Sequence, residues 1–349
     1  MPHRRIVAAS RGPDLNRRAF LEGFFAASTV LYGGHYMWRR LQPPAIQLAT
    51  APVLPSPVIH PDPSLPPPPS QNFQFTPIEI SRSVGELPLP TPVPAIKPDT
   101  GFDLNQLSDE EVTRYLTKIR NFDAIFANDI YLDARYEKIL LSTTQRLARM
   151  ESYIGHGNFN LISFDEMLRY ANNHPRIGRF EQDELSFVEE VFFTDPSRYG
   201  FFGNKVTHDI TENIPRSEIV KIPRSGHFLL KGESLNLYNK LKADVGDDLV
   251  LTSGVRSVVK QLHLFLAKTV EASGNLSRAS RSLAPPGHSY HGVGDFDVGK
   301  FGLGAKNFTT DFSRTPEYRK IAGLGYVNIR YPTDNLFGVR FEPWHIKIG

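Results

Sequence analysis

The chain has 349 residues, of which 40% are hydrophobic and 11% aromatic, so it can bury a substantial core. A formal net charge of +3 and the lack of any basic stripe interleaved with aromatics argue against a nucleic-acid partner. With no cysteine, disulfides, thiolate metal ligands and a cysteine nucleophile are all excluded, and any metal site must use His, Asp and Glu.

The N-terminus reads as an address. Arg4, Arg5 and Arg11 lead into Asn16-Arg17-Arg18-Ala19-Phe20-Leu21, and a mostly apolar stretch follows from Gly23 to Trp38. A basic region, paired arginines and a moderate apolar run resemble a twin-arginine export signal over residues 1–42, either cleaved or kept as a membrane anchor. The expected location is the periplasm or cell envelope. Residues 43–100 form a linker, because 17 of the 28 prolines fall between Pro43 and Pro98 and such a segment favours extended polyproline II over sheet or helix.

Helical patterning begins at Ser108, where Ser108-x-x-Glu111 forms a capping box ahead of Val112, Tyr115, Leu116 and Ile119 at helical spacing. A second box, Ser163-x-x-Glu166, opens a helix through Met167, Leu168 and Ala171. A third helix is expected over Glu181–Phe193. Residues 101–220 are thus read as a helical region packed on the C-terminal domain, 221–349.

Within that domain the pattern is mixed. Strands are expected at Phe228–Leu230, Leu249–Thr252, Gly294–Val298, Gly325–Tyr331 and Val339–Ile348, with helices over Leu235–Leu241 and from Val259 to Val270. Strands and helices without strict βαβ alternation predict an α+β fold with a small, largely antiparallel sheet and flanking helices.

Three segments carry chemistry: Ser289-Tyr290-His291, Asp295-Phe296-Asp297-Val298-Gly299 and Glu342-Pro343-Trp344-His345. Two imidazoles and a carboxylate can hold a zinc ion with one position left for water, and a glutamate that is not a ligand can deprotonate that water. Asp295 and Asp297 are two apart on a strand and share a face, so either could serve. Glu342 and His345 are three apart, which splays side chains on a regular strand, but Pro343 implies an irregular edge on which both could converge. Arg256, just past a strand end, suits a carboxylate or a developing oxyanion.

The ordered set Ser253-Gly254-Val255-Arg256-Ser257, Gln261, Pro285-Pro286-Gly287-His288-Ser289-Tyr290-His291, Asp297-Val298-Gly299, Arg330-Tyr331-Pro332 and Glu342-Pro343-Trp344-His345 resembles the zinc D-alanyl-D-alanine carboxypeptidases of the VanY type, with their hedgehog/DD-peptidase fold. The resemblance covers roughly residues 225–349. It implies zinc held by His291, Asp297 and His345, with Glu342 as general base and acid. It also implies that Arg256, Gln261 and Ser289 hold the substrate's terminal carboxyl region or scissile carbonyl. Trp344, beside a candidate ligand, either walls the site or packs in the core. The substrate the resemblance implies is a peptidoglycan peptide ending in D-alanine. One departure stands out: the family usually spaces its first His and Asp by seven, and His291 to Asp297 is six. The trailing Val298-Gly299 favours Asp297, and Asp295 is the rival. His288 is seven before Asp295, but that register misplaces the Ser and Gly of the motif. Two further readings stand beside the enzyme, a catalytically inactive zinc-containing domain that binds cell-wall peptide and an envelope scaffold.

Overall fold

A computed structural model describes residues 108–348; the expected export signal, the Pro-rich linker and the start of the helical region lie outside the described residues. Helix α1 (Asp109–Arg120) opens on the Ser108 box with both reciprocal bonds formed, which satisfies backbone N–H groups that a helix start leaves orphaned. Helix α2 (Glu137–Ile154) is the longest among the described residues, and it stops where Gly155 takes φ +88°. A single turn, α3 (His156–Phe159), leads to α4 (Phe164–Asn173), opened by the Ser163 box, and to α5 (Gln182–Phe193).

The sequence then turns to mixed structure. Strands β1 (Ile219–Lys221) and β2 (Phe228–Leu230) form an antiparallel hairpin. Helix α6 (Glu233–Val245) follows, then β3 (Leu249–Ser253) and α7 (Val258–Glu271), whose first turn is capped by the Ser257 hydroxyl. After the short α8 (Leu276–Ser280) come β4 (Phe296–Lys300), α9 (Pro316–Ala322) and β5 (His345–Ile346). Strands β3, β4 and β5 form one antiparallel sheet with β4 in the middle. The molecule is α+β, as its patterning predicts. Among the described residues no helix is long and apolar enough to cross a membrane.

Two expected strands are largely absent. The segment 325–331 runs beside β5 but makes one isolated bridge, Ile329 to Ile346. Gly325 and Tyr326 are taken up by a turn just past α9, and Pro332, which has no N–H to donate, follows at the far end. Of 339–348 only His345 and Ile346 are strand, because Pro343 keeps the chain before them irregular and the Glu342 N–H turns to the Tyr331 carbonyl.

Helix α7 joins the two regions. Val258, Val259, Leu262, Leu266 and Val270 are buried in one cluster with Leu147 and Met150 of α2, Met167 of α4 and Phe187 and Val188 of α5. A separate cluster lies between the sheet and α6, built on Leu249, Leu251, Phe296, Val298 and Ile346 with Tyr238 and Leu241. Phe265, on another side of α7, enters a third cluster with Tyr199, Phe201 and Tyr331.

Candidate metal centre

The β3–β4 register builds one side of the site. A bulge between Leu251 and Ser253 breaks strict alternation, so that Ser253 faces Asp297, and Asp297 in turn pairs with His345 of β5. His291 comes from a single 3₁₀ turn, Tyr290–Gly292. It reaches the same point because Gly287, at φ +83°, turns the chain and the Val206 and Thr207 N–H groups clamp the Gly287 carbonyl.

The three side chains converge on a buried point. His291 Nδ1 donates to the Gly254 carbonyl at 2.9 Å, which fixes the tautomer and leaves Nε2 as a bare acceptor. That Nε2 has no hydrogen-bond partner, and neither has Asp297 Oδ1, 3.4 Å away. His345 Nδ1 lies 3.5 Å from the same Oδ1. Ligand bonds of about 2.0–2.1 Å at a tetrahedral angle put donor atoms about 3.3 Å apart, so these separations suit a zinc ion. Two orphaned buried atoms facing each other would otherwise cost the fold desolvation energy with nothing in return. Gly254 is required here for contact rather than for a turn: a Cβ would meet the Phe228 carbonyl oxygen at 2.0 Å.

Asp295 has a different task. It precedes β4, and its carboxylate accepts four hydrogen bonds: Arg330 Nε at 2.7 Å and Nη2 at 2.9 Å, the Ile348 N–H at 2.8 Å and His345 Nε2 at 3.0 Å. A carboxylate has about four lone-pair sites, so none remains for a metal. Asp295 instead orients His345 from behind, holding Nε2–H and aiming Nδ1 at the centre. Of the two aspartates, Asp297 is the one whose oxygen groups with the His291 and His345 nitrogens in an arrangement that could hold a metal ion.

Charge follows the same division. Burial alone would raise Asp297, but His291, His345 and Arg256 around it outweigh that and hold its carboxyl well below the usual range. Burial, helped by the Arg256 guanidinium, pushes His291 down to about 4. Burial opposes charge on His345 too, yet its bonds to Asp295 and Glu342 win and raise it to about 9. Glu342 is buried, with Oε2 3.2 Å from His345 Nδ1.

The remaining expected residues fall around this centre. Arg256 Nη2 donates to Asp297 Oδ2 at 3.0 Å and to the Ser253 hydroxyl at 3.1 Å, while Nη1 reaches Gln261 Oε1 at 3.4 Å. Gln261 is buried and donates to the Ala284 carbonyl, so it positions Arg256. Ser289 lines the cavity at the centre, and its hydroxyl has no partner among the described residues. Trp344 borders the cavity but is 97% buried, edge-on to Phe308. His288 bonds the Gly203 carbonyl and is not at the centre.

Sequence reasoning missed a second polar cluster on the same cavity. Glu151 of α2 is buried, bonded to Lys260 Nζ at 2.7 Å and to His156 Nδ1 at 2.5 Å, with His263 Nδ1 at 2.9 Å from its other oxygen. His263 is thus a partner of a buried carboxylate. The only signal available was Lys260 on the apolar run of α7, where an unpaired ammonium would be unstable.

A family model for D-alanyl-D-alanine carboxypeptidases (VanY) matches residues 232–348. No curated protein matches the chain. Among solved structures the chain is similar to the LD-carboxypeptidase LdcB, described for peptidoglycan recognition, at 22% identity and TM-score 0.34 over 39% of this chain and 69% of that one. It is also similar to a mutant of the vancomycin-resistance D,D-pentapeptidase VanY in complex with Zn(II), at 24% identity and TM-score 0.30 over 37% and 77%. VanYB in complex with D-alanine-D-alanine is similar at 25% identity and TM-score 0.30 over 38% and 80%.

Proposed function

We propose, on the premise that residues 232–348 form a VanY-type domain, that the protein is a zinc-dependent carboxypeptidase acting on peptidoglycan stem peptides that end in D-alanine, with D-alanyl-D-alanine as the preferred terminus. The observation that carries this reading is the pair of orphaned buried atoms, His291 Nε2 and Asp297 Oδ1, beside His345 Nδ1 and with Glu342 at the edge of the group. His291, Asp297 and His345 would hold the ion, which when bound supplies a Lewis acid able to lower the pKa of water towards about 7.

The chain's own groups supply the rest. Glu342 is 7% exposed, its backbone N–H is held by the Tyr331 carbonyl, and its carboxylate lies beside the centre with Oε2 3.2 Å from His345 Nδ1. In this role it takes a proton from the attacking water and returns it to the leaving amine of D-alanine. Arg256 Nη2 is committed to Asp297, so Nη1 is the part of the guanidinium left for a substrate carboxylate or the developing oxyanion. Ser289 offers a free hydroxyl to the same end of the peptide. The proposal includes export, since this substrate lies outside the cytoplasmic membrane and the basic, apolar leader reads as a twin-arginine signal.

Zinc content and D-alanine release, measured on the full chain beside Glu342→Ala, test the proposal. One equivalent of zinc in both, with release from wild type only, is the expected result. Zinc bound without turnover on any stem peptide would favour a peptide-binding module, and no zinc at all would overturn the site.

A further inference from the structure

The cavity that opens from the metal centre has a second wall outside the carboxypeptidase segment. Its volume is about 780 Å³, in the upper part of the roughly 300–1,000 Å³ typical of whole ligand pockets. Only one residue lies beyond the scissile bond of a carboxypeptidase substrate, so a space of this size is filled chiefly from the amino side of the peptide. The cavity's lining includes Lys260 and Gln261 of α7 and, outside the carboxypeptidase segment, Glu151 of α2 (bonded to Lys260) with His156, Asn160 and His227.

His227 stands out on this wall. It lies just before β2, and its Nδ1 is 3.4 Å from Asn160 Nδ2. An amide nitrogen can only donate, so Nδ1 accepts and the ring proton resides on Nε2. Nε2 has no partner among the described residues, and the half-buried ring lines the cavity together with Arg256. Burial, with His156 and Arg256 nearby, pushes His227 down to about 3, so the ring is neutral and has a single N–H to offer.

Everything behind the ring is fixed. Asn160 is buried, its carbonyl accepts the Ser257 N–H at 2.8 Å and its N–H bonds the His156 carbonyl. The His156 ring meets His227 edge-on at 5.5 Å and is tied to Glu151, which Lys260 of α7 holds in turn.

We infer that His227 Nε2–H donates a hydrogen bond to a carbonyl oxygen of the peptide on the amino side of the scissile bond, and that Asn160, from the helical region, fixes the tautomer that makes this possible. This rests on the carboxypeptidase reading above. The helical region then belongs to the substrate site and makes the enzyme select for peptides longer than two residues.

The test uses the zinc-loaded full chain, a stem pentapeptide ending in D-alanyl-D-alanine, and N-acetyl-D-alanyl-D-alanine. Losing one neutral hydrogen bond should raise KM for the pentapeptide about three- to tenfold in His227→Phe, with kcat within twofold. The preference for pentapeptide over dipeptide, as a ratio of kcat/KM, should shrink by the same factor, and His227→Gln, which keeps a donor, should recover most of it. Asn160→Leu leaves the imidazole in place but removes the donor that keeps Nδ1 bare, so the proton is no longer confined to Nε2 and a smaller rise in the same direction is expected even if His227→Phe folds poorly. Wild-type length preference retained in both variants, or no length preference in wild type, would overturn the inference while leaving the carboxypeptidase reading intact. If wild type releases no D-alanine from any peptide, that reading fails, and calorimetric Kd values for the pentapeptide still decide the role of His227. Equal Kd in wild type and His227→Phe would refute it.

Discussion

Replacing Asp295 by Asn removes one charge from a buried carboxylate that lies outside the group of side chains able to hold a metal ion. Asp295 accepts from Arg330 Nε and His345 Nε2 on one oxygen and from Arg330 Nη2 and the Ile348 N–H on the other. An Asn amide must set its NH₂ against one of these donor pairs, whichever way it is turned. Arg330, 8% exposed, is then left without a counter-charge, which for a buried pair costs about 3–5 kcal/mol of stability. Zinc affinity should fall by about 10–100-fold, or about 1.4–2.7 kcal/mol, because His345 loses the partner that orients it. Asp297→Ala removes a ligand with an open lone pair and should lose more than that. The assay is chelator competition for zinc, paired with urea unfolding of the metal-free proteins. Near-complete loss of zinc in Asp295→Asn together with near-wild-type affinity in Asp297→Ala would show that the two aspartates have been assigned the wrong way round.

Three other outcomes are expected. Metal-free His345 keeps its proton to about 9, above its ordinary 6.5, and its Nδ1 must be bare to bind. Zinc affinity should therefore rise up to about tenfold per pH unit between pH 6 and 8, whereas the metal-free fold should lose the stability of this charged His as pH rises from about 6.5 through 9; a flat zinc titration would contradict this. Lys260→Met leaves Glu151 buried without its ammonium and should cost about 3–5 kcal/mol in urea unfolding, and a loss under about 1 kcal/mol would mean the two imidazoles suffice. Gly254→Ala drives a methyl to 2.0 Å from the Phe228 carbonyl, so about 1–3 kcal/mol should be lost, with reduced zinc content because the Gly254 carbonyl orients His291.

How much of this was legible in the sequence depended on whether the signal was local. The Ser108 and Ser163 boxes name their own helices, since the cap and its reciprocal glutamate are three residues apart. Helix α2 escaped notice because Tyr136 gives it no side-chain cap. The strand expected at 325–331 failed because apolar residues at strand spacing do not say whether a neighbour has backbone groups to pair with, and β5 is two residues long. At the site, residue types and order pointed to His291, Asp297, His345 and Glu342. The division of labour between Asp295 and Asp297 was hidden, since it is set by Arg330, 35 residues away in sequence. The Glu151 cluster and the His227–Asn160 pair are likewise contacts between distant segments that no spacing encodes.

Helix α7 serves two regions at once, packing Val259, Leu262 and Leu266 among the N-terminal helices while Lys260 and Gln261 line the cavity. Its amide protons should consequently exchange with solvent only when both regions open together. Loading the centre with zinc raises the free energy of that shared opening by mass action. Deuterium uptake should therefore slow in α2, α4 and α5, helices that carry none of the candidate ligands, and by the same free energy as in the sheet that carries Asp297 and His345.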